Sequence, residues 1–305
     1  MKQATVYKCE LPEQDLLEQH FEECEFQEIG MHQMETAGFN RFDDGLFTRR
    51  INGWVAFQVR RDTKIIPTGS VRDEVKKRVK VLEANECRKA GRADRLNIKD
   101  EVMMEFCVKA LVKQQIINAY YHEESQTLVV DSANKKLADT MTGRMIEAIG
   151  SIKATTIYMN GLVADLTMRL CNYVSGNHHA TIFGDLTPSG SCKLTRLNSE
   201  EKKESVSFSG AGELSNFTEI IRLIEDEGFK VSQLGFSDEG MSFTLDDKFK
   251  IRKIANLAFE PDDTDDESYD AAEHELGVTL HLLNANIELL CKLFEYKRPE
   301  VSEAA

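Results

Sequence analysis

The chain has 305 residues and a formal net charge of −14, from 52 Asp and Glu against 38 Lys and Arg. No apolar run reaches the roughly 18 residues that span a bilayer, and the opening MKQATVYKCELPEQ lacks the apolar core of a secretion signal. The seven cysteines are scattered and none forms C-x-x-C, which is typical of reduced thiols rather than of a disulfide framework. The sequence therefore excludes membrane-spanning and disulfide-rich secreted classes and predicts a cytoplasmic protein.

No metal or cofactor is expected. The candidate ligand clusters are His20 with Cys24 and the pair His178 and His179, and neither has a second ligand pair at zinc-finger spacing. The nucleotide-binding pattern G-x-x-x-x-G-K-[ST], the G-x-S-x-G elbow and H-E-x-x-H are all absent.

The N-terminal elements are a strand over residues 4–9 and a helix over 11–21, opened by Pro12. A β-hairpin follows, because Asn52-Gly53 is flanked by GLFTRRI and WVAFQVRR. Its arms carry two pairs of adjacent arginines: Arg49, Arg50, Arg60 and Arg61. Adjacent strand residues face opposite sides, so each pair sends one guanidinium to each face. These arginines serve either surface solubility or phosphate contact.

The next stretch concentrates positive charge. Residues 72–99 hold ten Lys or Arg against five Asp or Glu, a balance of +5, so the remainder of the −14 chain sums to −19. An apolar stripe with helical spacing runs through it: Val71, Val75, Val79 and Leu82. This pattern predicts a helix over 70–89 with Ser70 as its N-cap, a break at Gly91, and a second helix over 98–113.

Two antiparallel helices joined by a basic turn predict a finger. Clustered Lys and Arg favour contact with the phosphates of DNA. The candidate DNA contacts are Arg72, Lys76, Lys77, Lys80, Arg88, Lys89, Arg92, Arg95, Lys109 and Lys113. Two other interpretations remain open, a solvated helix of mixed charge and a cluster of cations that caps a helix C-terminus.

The rest of the chain mixes strands and helices. We predict hairpins over 116–131 and 230–245, helices over 133–149, 162–173 and 214–225, and strands over 155–159, 192–198, 205–208 and 249–258. There is no regular βαβ alternation, so the predicted class is α+β with mixed or antiparallel sheets. The expected division is into residues 1–67, a finger with its hairpin from 68–152, and residues 153–305.

The C-terminal part is first acidic and then apolar. Residues 260–275 hold nine acidic residues and no Lys or Arg, which favours a solvated loop or the acidic entry to the last helix; a metal-binding carboxylate cluster and a decoy for the basic surface are alternatives. A helix over 276–294 follows, with one apolar stripe and two further leucines beside it, Leu282 and Leu289. That width favours burial on more than one side, including a subunit contact.

Two further functional hypotheses remain, one from the C-terminal part and one from the charge of the whole chain. Pro261-Asp262 and Glu295-Tyr296-Lys297 imitate the PD…ExK carboxylates of metal-dependent nucleases, which suggests an exonuclease. The net charge of −14 also suggests a non-DNA interaction protein that mimics DNA.

Several ordered motifs carry a family resemblance. They are Lys64-Ile65-Ile66-Pro67 before the first finger helix, Leu82-Glu83-Ala84 and Arg88-Lys89 at its end, Ile98-Lys99-Asp100-Glu101-Val102 in the second helix, Val130-Asp131 with Lys135-Lys136, and Phe243-Thr244-Leu245-Asp246-Asp247 with Ile251-Arg252-Lys253-Ile254. With these motifs the chain resembles the RdgC family of recombination-associated proteins over nearly its full length.

The resemblance implies a horseshoe-like subunit of central, tip and base lobes, with 1–67 part of the central lobe, 68–152 the tip lobe, and 153–305 the remainder of the central lobe and the base lobe. It implies that the homodimer closes into a ring around double-stranded DNA, without sequence preference. It also implies nucleoid association and an influence on a RecA-type recombinase through competition for DNA. The family's basic tip falls on Arg88 and Lys89, its apolar tip residue on Leu111, and its inner-wall strand on Arg196 and Asn198.

Overall fold

The structure, a computed structural model, describes residues 1–176, 182–214, 218–257 and 269–299. Within these ranges the chain forms twelve strands and seven helices. The strands are β1 (Gln3–Lys8), β2 (Glu35–Asn40), β3 (Thr48–Ile51), β4 (Trp54–Ile65), β5 (Leu111–His122), β6 (Thr127–Val130), β7 (Thr155–Thr156), β8 (Thr187–Leu197), β9 (Lys203–Glu213), β10 (Lys230–Ser237), β11 (Met241–Asp246) and β12 (Lys250–Asn256). The helices are α1 (Gln14–Glu23), α2 (Thr68–Glu86), α3 (Arg92–Lys109), α4 (Lys135–Ile149), α5 (Leu162–Val174), α6 (Thr218–Glu225) and α7 (Tyr269–Leu293).

All strands belong to one sheet, in the order β2-β4-β5-β6-β1-β12-β11-β10-β8-β9, with β3 paired to β4 and β7 to β1. Every pairing between these strands is antiparallel. The predicted α+β class is confirmed. The hairpin of β5 and β6 lies within the sheet, between β4 and β1, whereas α2 and α3 project as the finger; the division into three lobes stays a prediction.

The sheet is buried on both faces because its central strands are apolar at successive positions. On β4, Trp54 and Ala56 belong to one core cluster, while Val55 and Phe57 belong to the other. Helices α5, α6 and α7 cover the first face, and α1 and α4 cover the second. Each large apolar side chain removed from water in this way contributes about 1.5–3 kcal/mol.

Helix α7 uses its wide apolar face within the chain. Leu280 and Leu283 are fully buried in the first core cluster, and the flanking Leu282 and Leu289 pack against the same cluster. Leu282 lies against Gly240, and Leu289 lies against the glycine at position 184. The width that suggested a subunit contact is therefore explained by packing inside one subunit, and it gives no support to a dimer.

Element boundaries differ from the sequence prediction at the finger. Helix α2 begins at Thr68, directly after Pro67, so Ser70 lies inside the helix and does not cap it. Helix α3 begins at Arg92 because Asp94 accepts a hydrogen bond from the Gly91 N–H at 2.9 Å, an N-terminal cap that the prediction missed. It ends at Lys109, so Lys113 lies on β5 and not on a helix.

Elsewhere the predicted strand over 155–159 is reduced to the two residues of β7. The pair His178 and His179 and residues 260–268, with Asp262, lie outside the described residues. Within the ranges that the structure describes, no helix is long and apolar enough to cross a membrane, and no group of three or more His, Cys, Asp or Glu is arranged to hold a metal ion.

Gly38 marks the closest backbone approach in the second core. A Cβ atom there would lie 2.5 Å from the Phe26 Cα and 2.7 Å from the Phe26 N, both backbone atoms that cannot rotate away. We expect Gly38→Ala to destabilise the protein by about 1–3 kcal/mol, measured as a lower urea midpoint. Gly143→Ala on α4 is the control, because nothing lies within 4 Å of its Cβ, and it should gain up to ~1 kcal/mol of helix propensity. Equal midpoints for the two variants would contradict this packing.

Candidate nucleic-acid interface: the helical finger

The finger is inserted between two paired strands. β4 and β5 pair over their whole length, from Trp54 with His122 to Ile65 with Leu111. Residues 66–110 leave this ladder and return to it at adjacent positions. The ladder therefore fixes where both ends of the finger emerge from the sheet.

The predicted apolar stripe forms the finger's own core. Val71, Ile98 and Val102 are buried there, and Val75, Val79 and Leu82 pack against them. Arg78 joins the two helices on the outside, where its guanidinium donates two hydrogen bonds to the Glu105 carboxylate at 2.8 and 2.6 Å. The helix pair is thus held by a small apolar core and a bidentate ion pair.

The root of the finger is tied to a loop of the second core. Lys64 is only 8% exposed, and its ammonium donates to the carbonyl oxygens of Gly30, at 2.9 Å, and Met31. The Cys107 thiol, near the end of α3, donates to the carbonyls of Met31 and Gln33 at 3.6 Å. Lys64 opens the K-I-I-P motif, and the structure gives it an anchoring role that its sequence position did not reveal.

Some finger cations are held by carboxylates of the same subunit. Lys76 lies 3.7 Å from Asp73, Lys77 lies 3.6 Å from Glu74, and Arg95 lies 3.8 Å from Glu83. These are long contacts between exposed groups, worth roughly 0–1 kcal/mol each. Their cations remain available to an incoming anion.

Arg88 is held more firmly. Its guanidinium contacts Glu86 and Asp94, both at 2.6 Å, and Asp94 is the same carboxylate that caps α3. The hydrogen bond from Arg88 is the main cause that lowers the pKa of Asp94, followed by that from the Gly91 N–H. Arg88, one of the candidate phosphate contacts, therefore stabilises the turn at the tip.

The remaining cations of the finger and of its root on β5 form no salt bridge with any carboxylate among the described residues. These are Arg72, Lys80, Lys89, Arg92, Lys99, Lys109 and Lys113. All seven are exposed. Lys99 is not among the candidate contacts named from the sequence, although its spacing of four from Arg95 puts the two on one helix face.

The hairpin arginines are largely engaged within the subunit. Arg61 is 5% exposed and makes a two-pronged contact with Glu35 at 2.8 and 2.7 Å. Arg60 pairs with Asp62 at 2.8 Å, Arg49 with Asp44 at 2.7 Å, and Arg50 with Glu123 at 3.1 Å. Their charges are therefore matched by carboxylates, which favours a structural role over phosphate contact.

Arg196 and Asn198 lie far from the finger. Strand β8 is six positions from β5 in the sheet, roughly 29 Å at 4.8 Å per strand. Arg196 contacts Glu204 at 2.8 Å and Glu227 at 3.2 Å, and Asn198 also donates to Glu204, at 3.1 Å. These two residues brace the turn between β8 and β9, and the structure does not bring them together with the finger cations.

Leu111 is the first residue of β5 and is 79% exposed. Its cross-strand partner Ile65 is 51% exposed, and Val112 and Ile116 are also exposed. The apolar residue that the family resemblance places at the tip thus lies at the finger's root on a strand. Leu111 and Ile65 form a small exposed apolar patch on one face, whereas Val112 and Ile116 fall on the opposite face because strand residues alternate.

The fold and this site define an α+β protein with a two-helix basic finger inserted into a large antiparallel sheet. A family model described as "Putative exonuclease, RdgC" matches residues 1–296. The chain belongs to the RdgC family. The similar proteins named Recombination-associated protein RdgC include those of Pseudomonas aeruginosa strain LESB58, 26% identical over 88% of this chain and 82% of the relative, and of Pseudomonas syringae pv. tomato strain DC3000, 24% identical over 92% and 86%.

The pairing of Glu35 with Arg61 makes stability depend on pH. The hydrogen bond from Arg61, followed by that from Lys136, lowers the pKa of Glu35 from 4.5 to about 2. A depressed folded-state pKa gives stability that is present above pH 4.5 and is lost as the pH falls through about 2. Glu35→Gln should therefore cost about 1–2 kcal/mol near pH 7, discounted for the partial exposure of Glu35, and the difference from the unmodified protein should shrink toward pH 2.

The measurement is a series of urea unfolding midpoints between pH 7 and pH 2. Glu22→Gln is the control, because Glu22 is exposed and makes a longer contact of 3.3 Å with Arg41; its midpoints should follow those of the unmodified protein. A constant difference between Glu35→Gln and the unmodified protein across this range would contradict the proposed linkage.

Proposed function

We propose that the chain binds double-stranded DNA without sequence preference, through the cations of its finger. The observation that carries the proposal is the set of seven exposed cations on the finger and its root that have no salt bridge to a described carboxylate, in a chain of net charge −14. Sequence-independent binding needs Lys and Arg against phosphates and little else. An acidic exterior repels the duplex elsewhere, so the finger is the surface at which DNA can approach.

The expectation of phosphate contact differs among the candidate residues, because some cations already pair with a carboxylate of the same subunit. Lys89 and Arg92 at the tip, with Arg72 and Lys80 on α2, carry the strongest expectation of phosphate contact, because no carboxylate neutralises them in the described residues. Lys76, Lys77 and Arg95 would exchange weak internal contacts for phosphates. Arg196 is the weakest of the original candidates, since two carboxylates already hold it.

We further propose that two subunits form a ring around the duplex and limit the access of a RecA-type recombinase. This part rests on the family, whose relatives are named recombination-associated proteins. The exposed patch around Leu111 and Ile65 at the finger root is a candidate for one of the two subunit contacts. A protein that encloses DNA without reading its sequence would compete with a recombinase for the same duplex.

The DNA assignment is tested by the salt dependence of binding. Lys89→Ala combined with Arg92→Ala should weaken duplex binding equally for unrelated sequences. The plot of log K against log[salt] should become less steep by about 1.8, or ~0.9 for each lost phosphate contact. Arg88→Ala should lower it by less than ~0.9, because Arg88 is already paired. Binding is measured by fluorescence anisotropy at several salt concentrations.

The matched control is Lys248→Ala combined with Lys253→Ala, two exposed lysines at β12 and the turn before it, three strands from β5 in the sheet. This variant should leave the slope unchanged. If the control and the tip variant alter the slope equally, the finger is not the DNA site. If neither protein nor variant binds duplex at low salt, DNA binding itself is refuted.

The ring is tested with Leu111→Glu, which places a charge in the apolar patch. Opening one of two contacts should leave a dimer held at the other, while duplex can escape sideways. Retention on circular DNA should therefore fall more than binding to linear DNA of equal length. Met168→Glu, at an exposed apolar residue of α5, should affect neither. A monomer by sedimentation at micromolar concentration would refute the dimer, and equal losses on both DNA forms would refute the ring.

The exonuclease named in the family description is the second candidate function. It needs carboxylates that converge on a metal ion beside the DNA surface, and the carboxylates of the described residues form no such cluster. We expect no degradation of linear duplex with Mg²⁺ or Mn²⁺. Degradation that disappears in Asp262→Ala would establish the nuclease and replace this expectation.

A further inference from the structure

A groove of about 590 Å³ runs along the finger between α2 and α3. Its floor is apolar and consists of Ile66, Val71, Val75 and Met103. Its rim is cationic and consists of Arg72 and Lys76 on α2 and of Arg95 and Lys99 on α3. The groove thus combines an apolar floor with cations on both of its walls.

Phosphate binding explains only the rim. Phosphate oxygens are contacted by Lys and Arg from a surface, and this contact gains nothing from an apolar floor beneath the cations. The apolar atoms of the floor are favourable contacts only for a ligand that removes them from water, at roughly 25 cal/mol per Å². The ligand that uses the whole groove is therefore apolar on one side and anionic along its edges.

The spacing of the cations specifies the shape of that ligand. Arg72 and Lys76 are four residues apart, as are Arg95 and Lys99, so each wall presents two cations about one helical turn apart, roughly 6 Å. Arg72 and Lys99 have no salt bridge to a described carboxylate, while Lys76 and Arg95 make only long contacts of 3.7 and 3.8 Å. Two pairs of available cations along a groove match carboxylates that recur at helical spacing.

We propose that this groove is the docking site of an acidic amphipathic helix supplied by a partner protein. The apolar face of that helix lies on Val75 and Met103, and its flanking Asp and Glu side chains pair with the four rim cations. A helix fits because α2 and α3 are an antiparallel pair, and a third helix packs into the groove of such a pair at 8–10 Å between axes. Recognition then uses apolar anchors at i, i+3 or i+4, and i+7.

The proposal separates two surfaces of one finger. All four rim cations, Lys99 included, are shared with the proposed DNA contacts, whereas Lys89 and Arg92 at the tip do not line the groove. A docked acidic helix therefore displaces DNA from the root of the finger and leaves the tip cations exposed. Docking competes with DNA at these cations but does not require the proposed DNA binding, since it rests on the apolar floor as well as on charge.

The test is fluorescence anisotropy with a labelled synthetic peptide of about twelve residues, with Leu or Phe at i, i+4 and i+7 and with Asp or Glu along both flanks. The full chain should bind it, and a scrambled peptide of the same composition should bind at least ~10-fold more weakly, because its apolar residues no longer form one face. Equal binding of the two peptides would show simple charge attraction and overturn the proposal, as would no binding of either.

Two variants locate the site. Met103→Gln changes the half-buried floor and should weaken binding of the amphipathic peptide at least ~5-fold. The affinity for duplex DNA should stay within ~2-fold of that of the unmodified protein, since phosphates do not contact the floor. Arg95→Gln combined with Lys99→Gln changes only exposed rim residues, so it tests the site even where Met103→Gln unfolds the finger, and it should also weaken the peptide at least ~5-fold. Peptide binding that survives both variants would overturn the proposal.

Arg92→Gln combined with Lys109→Gln is the matched control, because it removes two α3 cations that do not line the groove. It should leave peptide binding unchanged, and a loss equal to that of the rim variant would overturn the proposal. Sedimentation with excess peptide tests whether a second copy of this chain occupies the groove instead. If the peptide dissociates a dimer of this chain, the groove belongs to a second copy and the partner-protein assignment is wrong.

Discussion

The register between β4 and β5 is the constraint on which the rest of the structure depends. Twelve consecutive pairs, from Trp54 with His122 to Ile65 with Leu111, fix which side chains face each core. A shift by one residue would exchange the two faces of the strand. Because both faces are covered by helices, a shift in one direction would place Arg60 where Val59 now packs. The same ladder sets the two points at which the finger leaves the sheet.

The β4–β5 ladder sets the position of the finger, and polar contacts hold the root of the finger to a neighbouring loop. Lys64 and Cys107 both bind carbonyl groups of the loop at residues 30–33, one from each end of the finger. A buried ammonium without a carboxylate partner is stabilised only if its hydrogen bonds are satisfied. The loop is therefore held to the finger root by the need of Lys64 for these acceptors. This coupling connects the second core to the candidate interface.

Local ion pairing decides which positive charges of the chain are available. Arg61 and Arg78 each donate two hydrogen bonds to one carboxylate. Such a two-pronged contact adds geometric specificity as well as energy. Lys89 and Arg92 project from the tip with no such partner among the described residues. A basic segment is thus composed of structural and available cations, and only the second kind can bind an external phosphate or carboxylate.

Much of the fold was determined by the sequence itself. Alternation and the Asn52-Gly53 turn predicted the first hairpin, and the spacing of Val71, Val75 and Val79 predicted the finger's apolar stripe, because these signals depend on backbone periods that act locally. The family resemblance, carried by ordered motifs, agrees with the match over residues 1–296. The position of the finger cations on exposed helix faces also followed from sequence.

The tertiary structure alone decided which of those residues have partners. The contacts of Arg61 with Glu35, of Arg196 with Glu227, and of Lys64 with Gly30 join residues that are distant in sequence, and no local period reports them. The wide apolar face of α7 likewise looked like a subunit contact, because sequence cannot distinguish apolar residues covered by the same chain from those covered by another. Periodicity tells which face a side chain takes, while partners depend on how the sheet brings separate segments together.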